Sequence, residues 1–260
     1  MKDQYVGDIG DYIKYALLRA IIKAEPNKKL GVAWYLTPED GKSDGLHTGY
    51  LHAPEKWRCL DEDVFDVLCA LICRNDPSAR SVEAIKASGL LKNTVFFDEK
   101  LQKGRGKANF RKEWSCRLQK YIEAKKCDII FTDPDNGIEN PCRNTSYSEK
   151  HITLQEVVNL VKPDDRTNRI GIFYHHPHRS KKNYGHAEQI KDWCDCLAKA
   201  CRSKKGNVEV VALYWRAYSA RTFFIVRPTP AIKNALKELE AKEIKNSGGK
   251  SVIELYGFNE

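Results

Sequence analysis

Residues 127–140, with the sequence CDIIFTDPDNGIEN, contain a short apolar run that stops at Thr132 and continues into a polar segment, DPDNG. The run predicts a buried strand, because it is short and rich in β-branched and aromatic residues. The polar segment suits a tight turn, in which Asn136 and Gly137 readily take positive φ. It equally suits a ligand site, since open α/β sheets bind ligands at the carboxyl ends of their strands. A turn needs one or two such residues, so the longer polar segment favours the functional interpretation.

Strands and helices alternate along most of the chain. This order predicts a mostly parallel sheet with helices on both faces, and the short gap between the last two core strands predicts an antiparallel edge strand. We therefore expect a single α/β domain over residues 1–260, with an N-terminal helix at 10–24, a core at 29–227 and a C-terminal helix and strand at 229–256. The predicted helices are 10–24, 61–73, 81–88, 107–125, 153–162, 187–201 and 229–243; the predicted strands are 29–36, 93–98, 127–132, 169–174, 208–215, 221–227 and 252–256.

The composition predicts a folded protein rather than a disordered or membrane-spanning one. Hydrophobic residues make up 42% of the chain and charged residues 30%. No apolar run approaches the roughly 18 residues of a membrane span, and the first residues, MKDQYVGDIGD, are too acidic and polar for a signal peptide. We therefore expect a cytoplasmic protein with reduced cysteines. No cysteine pair has the C-x-x-C spacing of a zinc ribbon, so the cysteines are expected to be structural and not metal ligands.

The formal net charge of +9 predicts a polyanionic partner, either a nucleic acid or a phosphate-bearing substrate. Two segments concentrate this charge. Residues 100–112, KLQKGRGKANFRK, include Lys103 and Arg105, and residues 178–186, HRSKKNYGH, include Arg179. A solvated basic surface that only aids solubility is the alternative interpretation.

Histidines cluster after the strand at 169–174. Four of the chain's seven histidines lie within residues 175–186: His175, His176, His178 and His186. The carboxyl-end rule places their loop in one crevice with DPDNG and with the loop TPEDGKSDG at 37–45. Histidines facing carboxylates could supply acid–base groups near neutral pH, or mixed ligands for a divalent metal.

Three short motifs in this order resemble one enzyme family. They are GDIGDYIKYALLRAII at 7–22, IIFTDPDNG at 129–137 and IGIFYHHP at 170–177. Over about residues 5–227 the chain resembles the S-adenosylmethionine-dependent methyltransferases, specifically the RlmJ-type adenine methyltransferases of large-subunit ribosomal RNA. The resemblance implies a Rossmann-like, methyltransferase-like fold and S-adenosylmethionine as cofactor.

The resemblance also implies roles for particular residues. Gly7, Asp8, Asp11 and Lys14 correspond to the family's opening helix, and Asp133 with Pro134 corresponds to the first half of its D-P-P-Y. In that motif the acidic side chain and a backbone carbonyl orient the exocyclic amine, and the aromatic ring stacks on the base. Here Asp135 and Asn136 replace the second proline and the tyrosine. The loop at 37–45 also lacks the Gly-x-Gly turn of cofactor loops, having only Gly41 and Gly45.

Three hypotheses follow. The first is an enzyme of methyltransferase-like fold that acts on a nucleic acid or nucleotide. The second is a nuclease or phosphoesterase dependent on Mg²⁺ or Mn²⁺, with Asp133, Asp135, His175 and His178 as candidate metal ligands. The third is a non-catalytic nucleic-acid-binding module. The candidate catalytic residues are Asp133, Asp135, Asn136, His176 and Lys14; the candidate substrate-binding residues are Asp8, Asp11, Tyr174, His175, His178, Arg179, Lys103 and Arg105.

Further structural expectations concern individual residues. Asp133 and His176 should lie on one crevice. The Asp133 side chain should face solvent, so that Asp133→Ala would abolish activity with little change in melting temperature. Asp11 and Lys14 could alternatively form an ordinary surface ion pair. The tryptophans should be mostly core, although Trp114 adjoins the basic segment and could instead stack on a base.

Overall fold

The computed structural model describes residues 1–38, 45–73, 79–102, 108–139, 149–162, 167–178, 184–203 and 206–258. Of the candidate site residues, Lys103, Arg105 and Arg179 lie outside these ranges, as does Gly41. None of the helices within the described ranges has the length and apolar character needed to cross a membrane.

A seven-stranded sheet forms the centre of the protein, in the order β2-β1-β3-β6-β8-β7-β9. The first four strands of that order are mutually parallel, whereas the last three add antiparallel pairs. The predicted α/β class is therefore confirmed, and the antiparallel edge contains three strands. The strands are β1 Leu30–Ala33, β2 Thr94–Phe97, β3 Ile129–Thr132, β4 Gly137–Ile138, β5 His151–Ile152, β6 Ile170–His175, β7 Val210–Trp215, β8 Arg221–Val226 and β9 Ile253–Tyr256.

Helices cover both faces of this sheet, as predicted. One hydrophobic core packs α1, α3 and α8 on one face, and a second core packs α5, α6 and α7 on the other. Strands covered on both faces are apolar throughout, which is why β3 and β6 are entirely buried. The helices are α1 Ile9–Ala24, α2 Pro54–Trp57, α3 Glu62–Cys73, α4 Val82–Ala87, α5 Ala108–Ala124, α6 Leu154–Val161, α7 His186–Ala200 and α8 Pro230–Glu240.

Two residues near the predicted basic surface are buried instead. Trp114 is completely buried, and its indole nitrogen donates a hydrogen bond to the Glu99 carbonyl at 2.8 Å. Arg111 forms a paired hydrogen bond with the Glu156 carboxylate, with both distances at 2.7 Å. The core interpretation of Trp114 holds, and its alternative of stacking on a base is wrong because the ring has no exposed face.

Candidate functional site

A pocket of about 490 Å³ opens at the carboxyl ends of β3 and β6. Asp133 follows β3 directly, His176 follows β6, and Arg221 begins the antiparallel strand β8, which pairs with β6 at this end. The first turns of α1 supply Asp11 and Lys14 to the same wall. The structure thus brings Asp133 and His176 to one crevice, where the strand-end rule places ligands.

Lys14 lies between two carboxylates at the base of this pocket. Its ammonium nitrogen is 2.6 Å from Asp11 Oδ1 and 2.6 Å from Asp133 Oδ2. All three residues are buried, with exposures of 3% for Lys14 and 4% for each aspartate. The Tyr15 hydroxyl donates a further hydrogen bond to Asp11 Oδ2 at 3.1 Å. Asp11 and Lys14 therefore belong to a buried network, and the surface-pair interpretation is wrong.

Burial and charge act in opposite directions on this network. Burial alone would lower the pKa of Lys14, but the charges of Asp11 and Asp133 outweigh it and raise the pKa, so the ammonium stays protonated. Burial raises the pKa of Asp11 from 3.8 to about 6, although the Lys14 charge opposes this. A carboxyl group that titrates near neutral pH beside a buried cation is a feature of functional sites.

The titration of Asp11 can be measured directly. We expect one carboxyl carbon signal with a midpoint near pH 6, absent from the Asp11→Asn variant, in carbon-detected NMR. Because the folded pKa exceeds the ordinary value, the folded state holds this proton more tightly than the unfolded chain does. The stabilisation of the folded state by this tighter binding of the Asp11 proton is complete below about pH 3.8, and it is lost as the pH rises through about 6. A midpoint for Asp11 at the ordinary aspartate value would contradict the burial account.

Asp8 joins the start of α1 to the sheet through a second ion pair. Its Oδ1 caps the helix by accepting from the Gly10 nitrogen at 2.9 Å, and accepts from Arg221 Nη2 at 3.0 Å. Its Oδ2 accepts from the His47 nitrogen at 3.1 Å. A Cβ at Gly10 would lie 2.0 Å from the Arg221 guanidinium carbon, so a side chain at this position would displace Arg221 from its present place.

The DPDNG segment is both a turn and a wall of the pocket. The Gly137 nitrogen donates to the Pro134 carbonyl at 3.3 Å, and the Asn136 nitrogen donates to the Lys150 carbonyl at 2.8 Å. Asp135 Oδ1 lies 2.6 Å from the amino nitrogen of Met1, which also lines the pocket. After the turn, β4 pairs with β5 in a short parallel ladder that the sequence did not predict. The DPDNG segment is therefore a turn whose residues also line the pocket.

Gly137 should be the most sensitive position of this turn. Its φ is +89°, and an added Cβ would lie 2.4 Å from the His175 Cα. We expect Gly137→Ala to lower the free energy of unfolding, measured by urea denaturation, by more than the about 1–3 kcal/mol that backbone strain alone would cost. Gly89→Ala is the matched control, because φ there is +69° but no atom lies within 4 Å of the added Cβ. Equal losses in the two variants would show that β4 does not depend on this close approach.

The three neighbouring histidines do not act as one cluster. His176 lines the pocket with Tyr174, whereas His175 is 1% exposed and packs on the opposite face against Trp193 and Phe224. Burial lowers the pKa of His175 to about 3, so its ring is neutral.

The hydrogen bonds of these histidines agree with that division. His175 Nδ1 accepts a hydrogen bond from the Ile138 nitrogen at 3.2 Å. The His178 backbone exchanges hydrogen bonds with the Gln189 side chain, at 3.0 and 3.2 Å. Asp133 and Asp135 line the pocket, whereas His175 and His178 are not part of its lining. Across the described ranges, no three His, Cys, Asp or Glu residues are grouped closely enough to hold a metal ion.

Sequence reasoning missed several pocket residues. Arg221, His47 and Lys150 line the pocket. In the sequence, Arg221 is only the first residue of a predicted strand, and His47 and Lys150 belong to none of the motifs. The antiparallel insertion of β8 beside β6, which the sequence spacing does not show, brings Arg221 to the pocket. Strand alternation could have separated His175 from Tyr174 and His176, because successive side chains point to opposite faces.

Neither the protein-family models nor the curated proteins include a match to the chain. Among solved structures, it is similar to the crystal structure of protein LPL1258 from Legionella pneumophila strain Philadelphia 1, described by the family model DUF519. The TM-score is 0.50 and the sequence identity 12%, over 96% of this chain and 97% of the other. At this identity the likeness concerns the fold alone, which is compatible with a methyltransferase-like architecture.

Proposed function

We propose that the protein is an enzyme of methyltransferase-like fold that transfers a methyl group from S-adenosylmethionine to a nucleic acid or nucleotide. The observation that carries this proposal is the position of Asp133, which directly follows strand β3 and whose carboxylate is bonded to the buried ammonium of Lys14. A buried ion network rarely adds net stability, since desolvation offsets much of the attraction. Its position at the carboxyl end of a central strand supports a role in binding or catalysis.

Asp133 is suited to hold an amine in a fixed orientation. Lys14 occupies one carboxylate oxygen, and a carboxylate has a second oxygen that can accept a hydrogen bond from a substrate amine. The bond to Asp11 holds Lys14 in place, and Lys14 in turn holds the Asp133 carboxylate, so this acceptor is in position before the substrate arrives. Tyr174, which lines the pocket and packs edge-on against Phe223, is available to contact the substrate ring.

The residues present fit S-adenosylmethionine. A volume of about 490 Å³ is in the usual range for small-molecule pockets. The carboxylates of Asp11, Asp133 and Asp135 outnumber the two cations that pair with them, Lys14 and the Met1 amino group, and this excess would favour the cationic sulfonium and amino groups of the cofactor. When bound, the cofactor supplies an electrophilic methyl group; Asp133 and its neighbours orient the accepting nitrogen and exclude water.

Calorimetric titration with S-adenosylmethionine and S-adenosylhomocysteine tests this proposal. We expect heat from both ligands, and transfer of a labelled methyl group to RNA or DNA oligonucleotides. The Asp128→Asn variant, altered at the opposite end of β3 on the surface, should behave as the wild type does. The absence of binding by both ligands would remove the methyltransferase proposal.

The metal-dependent nuclease has less support than methyl transfer. A divalent cation bridging carboxylates of the pocket would take the position between Asp11 and Asp133 where the Lys14 ammonium lies. A purely binding module has less support too, because carboxylates repel phosphate unless a cation intervenes. We also propose that the protein is cytoplasmic, in keeping with a nucleic-acid target.

A further inference from the structure

Two exposed aromatic rings lie beside the mouth of the pocket. Tyr218 is 64% exposed, and its ring centroid is 5.2 Å from that of His47, with a tilt of 34°. Leu46, next to His47, is 61% exposed. Leu46, His47 and Ser219 all line the pocket, so the Tyr218–His47 pair borders its opening. Grouped exposed apolar surface is one mark of a ligand-binding groove.

The loops that carry the two rings are both tied to the same ion pair of the pocket wall. The His47 backbone nitrogen donates to Asp8 Oδ2, and Arg221 Nη2 donates to Asp8 Oδ1. Arg221 Nη1 donates in turn to the Ser219 hydroxyl at 2.6 Å, directly beside Tyr218. The Asp8–Arg221 pair therefore links the two loops, from different parts of the chain, that present these rings. A contact surface held in this way loses little conformational freedom on binding.

The backbone of Tyr218 is also unusual. Its φ is +60°, a left-handed conformation that bulky residues rarely adopt. Non-glycine residues in this conformation persist where surrounding contacts enforce it, and they are concentrated at functional sites. Here the strained backbone presents the ring to solvent rather than to the core. A tyrosine kept exposed at such a position has no packing role that would explain it.

We propose that Tyr218 and His47 form a stacking platform for a nucleobase of a single-stranded nucleic acid whose reacting base enters the pocket. This inference rests on the proposed function, since it names what docks at the mouth of that site. Aromatic side chains bind single strands by stacking on base faces, which every base offers. The platform would hold a base next to the reacting one, outside the pocket.

Fluorescence anisotropy with labelled single strands tests the platform. The probes are an RNA and a DNA strand of the same sequence and, for each, a strand of equal length without bases. We expect Tyr218→Ala to weaken binding of the base-containing strands by roughly 5- to 150-fold, the effect of losing one stacked base. Binding of the strands without bases should be the same in the variant and the wild type.

Two further variants serve as controls. Tyr218→Phe keeps the ring and should bind as the wild type does. Tyr256→Ala removes another tyrosine, partly exposed on β9 and outside the pocket lining, and should leave binding unchanged. The platform is overturned if Tyr218→Ala binds the base-containing strands normally, if Tyr256→Ala loses as much affinity, or if the wild type binds no strand.

The test separates this inference from the proposed function. Heat on titration with S-adenosylmethionine, together with an inert Tyr218→Ala substitution, would overturn the platform alone. Absence of that heat, together with base-dependent loss in Tyr218→Ala, would overturn methyl transfer and support the platform. Tyr218 binds the substrate in this proposal and takes no part in the reaction, so its replacement should raise the substrate concentration needed for half-maximal rate more than it lowers the rate at saturation.

Discussion

Replacing Lys14 with methionine should destabilise the protein by about 3–5 kcal/mol near neutral pH, because it leaves two buried carboxylates without their cation. Asp11 and Asp133 each lie 2.6 Å from the Lys14 ammonium, and both are 4% exposed. Methionine keeps most of the side-chain volume, so the loss reports charge rather than a cavity. Urea denaturation of the variant and the wild type measures the difference.

The pH dependence of this loss gives the prediction a second readout. Without Lys14, the folded-state pKa of Asp11 should rise further, because the cation that opposes burial is gone. Protonation then favours the folded state, so the variant should regain stability as the pH falls from about 8 to about 5. Lys23→Met, on the exposed side of the same helix, should cost little at any pH. A loss that does not change with pH would contradict the account of two unpaired carboxylates.

The Asp133→Asn substitution should reduce methyl transfer by about 10²–10³-fold while S-adenosylmethionine still binds. Asparagine keeps the shape of the side chain but replaces one acceptor oxygen with a donor, so it can no longer accept from both Lys14 and a substrate amine. Single-turnover transfer of a labelled methyl group, at saturating cofactor, measures this step. Asp128→Asn, at the exposed start of the same segment, is the matched control.

The stability of this variant should also fall, by about 1–3 kcal/mol, since a buried hydrogen bond to a charged group is lost. The expectation that the Asp133 side chain faces solvent was wrong, which removes the reason for expecting little change in melting temperature: the residue is 4% exposed and bonded to Lys14. Normal transfer by a folded Asp133→Asn protein would show that DPDNG serves only as a turn. Loss of cofactor heat as well as transfer would assign Asp133 to binding the cofactor instead of orienting the amine.

The order of strands and helices follows from periodicity in the sequence, because burial on both faces requires continuous apolar strands and one-sided helices. The apolar run before Asp133 gave the end of β3 at Thr132, where the structure ends it. The strand-end rule then brought Asp133 and His176 into one crevice without any knowledge of the sheet order. These are local properties, or rules that hold for any sheet of this class.

Contacts between residues far apart in the chain were decided only by the tertiary structure. Lys14 meets Asp133 across 119 positions, and Asp8 meets Arg221 across 213. The spacing of Asp11 and Lys14 fits a surface ion pair as well as a buried one, and burial is set by how α1 packs on the sheet. The pocket likewise depends on β8 inserting antiparallel between β6 and β7, which loop lengths do not fix. The sequence pattern shows which face of a helix or strand is apolar. The partner of a buried charge depends on how helices and strands that are distant in the sequence pack together.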